Sequence, residues 1–177
     1  KEGWKEHAAI PGIARVQPIA APLEGGLLGV WGGFAPKTET KPAQLAMNGA
    51  SYNAGCGTWT SLPVPTDAVG EEVFTGGAAA IAVPQKGGVV VGGVNKDVFL
   101  AAINKLPEGY LLHEPEWYRF NNRVLCYRQG AWTQLLQHSS VARAGCALAY
   151  WDGWVYVVGG ELKPGIRTSE IVRFRVD

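Results

Sequence analysis

The chain has little of what metal sites and redox centres are made from. Among its 177 residues are three histidines (His7, His113, His138) and three cysteines (Cys56, Cys126, Cys146), with no CxxC pair and no histidine spaced to complete a zinc set. No metal and no cofactor is therefore expected, and the cysteines read as small buried or half-buried apolar residues. Charge is scarce as well. Asp, Glu, Lys and Arg make up 18% of the chain, for a net charge of +1, with no basic run and no aromatics interleaved with lysines. That pattern lacks the electrostatic footprint of a nucleic-acid binder. The longest apolar runs, Gly87 to Val94 and Trp154 to Gly160, fall far short of the roughly 20 residues a helix needs to cross a bilayer. At Lys1-Glu2-Gly3-Trp4 there is no basic stretch leading into an apolar one, so the sequence as it stands is expected to carry no secretory leader.

Glycine, by contrast, is plentiful at 24 positions, and 47% of residues are hydrophobic, which describes a folded, turn-rich, β-rich chain. One pattern recurs three times. A tryptophan opens each repeat (Trp4, Trp59, Trp132), and a β-branched or apolar run closes it in a diglycine (Gly32-Gly33, Gly92-Gly93, Gly159-Gly160); Trp and first Gly are separated by 28, 33 and 27 residues. Between them lie a loop, a small-residue strand (Gly76 to Val83, Gly145 to Ala149) and a tight turn (Pro84 to Gly88, Trp151-Asp152-Gly153). A further strand follows the diglycine, as in Arg123 to Arg128 and Ile171 to Val176.

Internal periodicity of this kind is the signature of repeat architectures, here a kelch-type, all-β propeller with three four-stranded blades filling residues 1–177. With strands named a to d outward from the axis, the diglycine ends strand b and the Trp begins strand d. The stretch Trp4 to Ala9 is thus a d strand without a blade of its own, and the blade of Ile171 to Val176 lacks one. Three blades do not close a ring, because propellers have roughly four to eight. The expected particle is a six-bladed ring in which this chain is one half, completed by a second copy or by the missing part of a parent chain.

Antiparallel order puts the long connections, Phe34 to Gly49, Ser61 to Thr75, Val94 to Asn122, Gln134 to Arg143 and Glu161 to Glu170, on one face, and function is expected there. In the last of these, Pro164-Gly165 is a turn signal that brings Glu161 and Arg167 back toward each other. On the residues alone the two form either a surface ion pair or a carboxylate and guanidinium framing a site. In the longest loop, Asp97 to Leu106 reads as a helical turn or two. Phe99, Tyr110, His113, Trp117, Tyr118 and Arg119 form either a lid or a packing cluster.

The stretch Gly159-Gly160-Glu161-Leu162-Lys163-Pro164-Gly165-Ile166-Arg167-Thr168 resembles the GEAKPGLRT segment of the kelch-type N-acetylneuraminate epimerases, or sialic acid mutarotases, a family with cyclically permuted members. Gly92-Gly93-Val94-Asn95-Lys96-Asp97-Val98-Phe99 is similar to that family's GGVN-x-x-x-F segment. The resemblance is specific from about Trp59 onward. Leu162 and Ile166 depart from the family's residues, and the family's chains are about twice as long.

The resemblance implies an isomerase that interconverts the α and β anomers of sialic acid in a bacterial periplasm, with Glu161 as proton acceptor and Arg167 as substrate-binding arginine. Asn95 lies just after the second diglycine as Glu161 lies just after the third, so the repeat is expected to aim both at one funnel. Asn95 then either binds sugar hydroxyls or caps the end of its strand. Arg143 makes either a second contact to the sugar carboxylate or bonds to loop carbonyls. A kelch interaction module or a carbohydrate-binding module without turnover is the rival reading.

Overall fold

The computed structural model describes residues 3–176 and is mostly β, with several antiparallel sheets. Strands β1 (Ile19–Leu23), β2 (Leu27–Trp31), β5 (Gly49–Asn53) and β6 (Thr58–Leu62) form the first sheet, with β3 (Phe34–Ala35) and β4 (Gln44–Leu45) pairing in the connection between β2 and β5. The second sheet takes β7 (Ala78–Val83), β8 (Gly87–Gly92), β9 (Arg123–Arg128) and β10 (Ala131–Gln137), with the helix α1 (Lys96–Asn104) between β8 and β9. The third has three strands, β11 (Ala147–Trp151), β12 (Trp154–Val158) and β15 (Ile171–Arg175), while β13 (Glu161–Lys163) and β14 (Ile166–Arg167) form a small hairpin between the last two.

Two repeats thus complete four strands and the third completes three, as a chain running out of strand c requires. Trp59 and Trp132 occupy outer strands in matching register, opposite Tyr52 and Tyr127. Trp4 does not. Residues 3–10 form no strand, because no sheet lies beside them to supply ladder partners.

Packing follows from the alternation of side chains. The middle strand β8, Gly-Gly-Val-Val-Val-Gly, is buried on both faces: Val89 and Val91 point toward the third sheet, where they meet Val155 and Val157, and Val90 points toward the first, into the cluster of Ile19 and Trp31. Trp31 is shut in between sheets, edge-on to Tyr127 and Trp132 at 4.9 and 5.2 Å between ring centroids. The innermost strands β1, β7 and β11 lie against one another. Small residues along β7 (Ala78, Ala79, Ala80, Ala82) allow that approach.

Turns between β1 and β2, β5 and β6, β7 and β8, β9 and β10, and β11 and β12 are all short, the longest being the four residues 54–57, and they lie at one end of the sheets. The long connections lie at the other end. Cys126 and Cys146 are buried in the core between the second and third sheets, where burial pushes both thiols up, but Cys56 is exposed, contrary to the expectation that all three be at least half-buried.

Candidate functional site

The Pro164-Gly165 reversal does what its residues dictate. Gly165 takes the left-handed conformation that the turn needs, and β13 pairs with β14 so that Glu161 stands directly across from Arg167. Their side chains meet, Arg167 Nη2 lying 3.3 Å from Glu161 Oε1. Glu161 is about two-thirds sheltered and Arg167 largely exposed, so the carboxylate is held while the guanidinium remains free to turn to another anion.

Both residues line a cavity of about 780 Å³ at the long-loop end of the sheets, and Asn95 lines it as well. That volume suits one sugar-sized ligand. The entry residues of the three innermost strands edge it (Pro18, Ala78, Gly145), and the insertion after β8 supplies an apolar wall through Phe99, Tyr110, Tyr118 and Phe120.

Asn95 serves the wall before anything else. Its Oδ1 accepts from the backbone N–H groups of Asp97 and Val98, each at 3.1 Å, which makes it the N-cap of α1 rather than a cap on the end of β8. The helix so started is nine residues long, more than the turn or two expected. Its far end is tied down as well, since Asn104 accepts from the backbone N–H of Ala43 at 2.7 Å and Lys37 Nζ donates to the Asn104 carbonyl at 2.7 Å. The aromatic residues both pack and line: Tyr118 is buried and donates to the Tyr110 carbonyl, His113 stacks on Trp117 at 4.0 Å, and Lys163 of the hairpin donates to the His113 carbonyl at 2.6 Å. Hairpin and insertion therefore form one continuous rim.

Register corrects one expectation. Counting from each diglycine, the residue equivalent to Glu161 is Val94 in the second repeat and Phe34 in the first; Asn95 lies one position further on. The hydrogen bonds agree, for Glu161 exchanges backbone bonds with Ala144 just as Phe34 does with Val16. Asn95 reaches the same cavity through its helix, not through repeat symmetry.

Arg143 does not line the cavity. Its guanidinium is buried, Nη1 donating to the Gly159 carbonyl at 2.9 Å and to the Glu170 carbonyl at 3.4 Å, with Nη2 3.4 Å from the Glu170 carboxylate. Arg15 is its counterpart four residues before β1, donating to the carbonyls of Gly32 and Asn48, the equivalents of Gly159 and Glu170. In the middle repeat Thr75 stands at that position and Asn121 Nδ2 donates to the Gly92 carbonyl instead. Arg143 thus fixes the turn from which Glu161 departs. Replacing it with methionine strips the Gly159 carbonyl of its donor and leaves the Glu170 carbonyl with the Gly159 N–H alone, and should cost about 3 kcal/mol, a fall in Tm of roughly 6–12 °C that calorimetry would read.

Sequence reasoning missed Gln17, a cavity-lining residue with φ of 53° just ahead of β1. Its equivalent in the third repeat is Gly145, also left-handed, and aligning those two positions would have exposed it. No group of three or more His, Cys, Asp or Glu side chains able to hold a metal occurs among the described residues.

A carboxylate and a guanidinium set into a half-apolar cavity, on loops carried by a β scaffold, are groups able to pair with a small anionic polar molecule and to exchange a proton with it. All of residues 1–177 match the sequence family described as N-acetylneuraminate epimerase, and the chain belongs to that family. Proteins named N-acetylneuraminate epimerase from Haemophilus influenzae (strain PittEE) and Pasteurella multocida (strain Pm70) are each 31% identical, over 94% and 93% of this chain. One from Salmonella typhi is 26% identical over 96% of it. Each alignment takes in 46% of the relative, so the chain spans about half the length of the curated relatives it matches. The solved structure of YjhT superposes with a TM-score of 0.82 at 24% identity, covering 98% of this chain and 53% of the other, a likeness of fold.

Proposed function

We propose that this chain is half of a six-bladed kelch-type propeller and contributes the proton-transferring part of a sialic acid mutarotase. The observation that carries the reading is the Glu161 to Arg167 hairpin facing a sugar-sized cavity, in a chain of the N-acetylneuraminate epimerase family. The half-ring reading is supported by three successive sheets whose innermost strands converge and by relatives about twice as long.

Interconversion of anomers needs the pyranose ring to open and reclose. Glu161 takes the proton of the anomeric hydroxyl as the anomeric carbon to ring oxygen bond breaks and the ketone forms; the ring oxygen takes up a proton in turn, and rotation before the reverse step presents the other face. Protons and electrons balance, so no cofactor is required. The sugar's carboxylate, borne on the anomeric carbon, matches the planar guanidinium of Arg167 with two parallel hydrogen bonds. Asn95, its oxygen occupied by the cap, keeps its amide N–H groups for a sugar hydroxyl. Arg143 acts through Glu161's turn and is a positioning residue.

Exchange NMR on the α anomer of N-acetylneuraminate tests the assignment, with the ring complete. Protein-dependent exchange is expected above the uncatalysed rate. Binding with no acceleration would favour a carbohydrate-binding module instead. Arg167→Ala should weaken binding at least about tenfold, the worth of a charge-assisted contact, which calorimetric titration would register.

A further inference from the structure

Five non-glycine residues among those described have a left-handed backbone. Three of them, Gln85, Gln129 and Asp152, lie in the tight turns joining β7 to β8, β9 to β10 and β11 to β12, where that conformation matches the twist of the flanking strands. A fourth, Arg119, ends a short helical turn. Gln17 is in neither kind of place. It lies two residues ahead of β1, with a φ of 53°, and lines the cavity of Glu161 and Arg167.

The other repeats show what the position asks for. Val16, Gly76 and Ala144 accept backbone hydrogen bonds from Phe34, Val94 and Glu161, so Gln17 aligns with Gly77 and Gly145. Both glycines are left-handed, at φ of 70° and 62°, and both line the same cavity. Neither is there for want of room: a Cβ on Gly77 would make ordinary contacts at 3.5 Å and beyond, and one on Gly145 would meet nothing within 4 Å. Glycine is thus the unstrained choice, set by conformation alone. Glutamine lacks the short polar side chain with which asparagine or aspartate bonds the backbone locally. A strained residue facing a cavity, where the scaffold is served by glycine, points to a ligand.

Gln17 enters the cavity from the first sheet and the hairpin from the third, with β7 packed between β1 and β11. On the mutarotase reading, on which this inference rests, Glu161 and Arg167 hold the anomeric carbon by its hydroxyl and carboxylate. In N-acetylneuraminate the ring carbon opposite the anomeric one carries the acetamido group, which therefore extends away from the hairpin. We infer that Gln17 is the specificity-determining residue for that acetamido group. Its amide N–H donates to the acetamido carbonyl and its carbonyl accepts from the acetamido N–H. A single hydroxyl in the same place cannot span both ends of the carboxamide, so a sugar with that replacement leaves one of them unpaired.

Thermal melts and calorimetric titration, on the protein with its ring complete, test this. Gln17→Gly relieves the left-handed backbone, so its Tm should be no lower than the parent's, while N-acetylneuraminate binds about tenfold less tightly. The analogue with a hydroxyl in place of the acetamido group should lose no more than about threefold. Gln17→Met keeps the backbone strain and the length without the amide, and should lose the same affinity with Tm unchanged. Anomer exchange at saturating sugar should hold in both variants, because Gln17 does not touch the anomeric hydroxyl. A lower Tm in Gln17→Gly, or unchanged affinity in both variants, overturns the assignment, and equal losses on the two sugars overturn the acetamido contact. A parent protein that neither binds nor exchanges either sugar overturns the mutarotase reading itself, and this inference with it.

Discussion

Glu161→Gln is expected to slow protein-dependent anomer exchange by about a hundredfold or more, the usual worth of a positioned general base, while sialic acid still binds. Glutamine keeps the length and shape of the side chain and still accepts from Arg167, now 3.3 Å away, but it takes no proton from the anomeric hydroxyl. Fold should be untouched, since Arg167 is largely exposed and a surface ion pair contributes about 0–1 kcal/mol. The two substitutions in the hairpin therefore separate on different axes: Arg167→Ala lowers affinity, and Glu161→Gln lowers the exchange rate at saturating sugar. Exchange NMR and titration on the same preparations distinguish them. An unchanged exchange rate in Glu161→Gln removes Glu161 as the base and leaves binding without turnover as the better account.

How far these residues could be read beforehand depends on whether their geometry is set locally. The Glu161 to Arg167 reversal was legible because Pro164-Gly165 imposes it within a few residues, and β9 coincides with the expected Arg123 to Arg128 because alternation and a buried apolar run act on the strand itself. Trp4 was misread as a strand residue for the opposite reason. Its local sequence resembles those around Trp59 and Trp132, but a strand exists only where a neighbour supplies hydrogen bonds, and that neighbour is not in residues 3–176. The N-cap role of Asn95 was written in Asn95-Lys96-Asp97-Val98, yet with Asp97 to Leu106 read as only a helical turn or two, Asn95 was assigned to sugar hydroxyls or to the end of its strand rather than to the helix.

Arg143 shows a signal that was present and unused. Ala14-Arg15 and Ala142-Arg143 each precede an innermost strand by the same spacing, and a side chain recurring in repeat register is under a scaffold constraint rather than a ligand's. Glu161 breaks the repeat instead, replacing Phe34 and Val94 at its register. Departure from the repeat, more than agreement with it, singles out the residue to which the proposed proton transfer is assigned.

The backbone carbonyl of Arg143, on the side away from that turn, governs the largest stability effect expected here. Gly92 has a φ of +72°, and a Cβ built on it would sit 2.1 Å from the carbonyl oxygen of Arg143, with the Val141 carbonyl oxygen 3.3 Å away. Neither obstacle is the movable end of a side chain. The adjacent Gly93 N–H donates to that same Arg143 carbonyl at 2.9 Å, so the segment before β11 cannot retreat without breaking the bond that seats the third sheet on the second. Gly153 offers a matched control, with a φ of +79° and nothing near its missing side chain. Gly153→Ala carries only the left-handed penalty of about 1–2 kcal/mol. Gly92→Ala adds backbone displacement and should lose about 3 kcal/mol or more, roughly 6 °C in Tm at the least. Thermal melts of the two variants side by side test this. Equal losses would mean that the gap between Gly92 and Arg143 opens freely, and that the diglycine does not lock neighbouring sheets together.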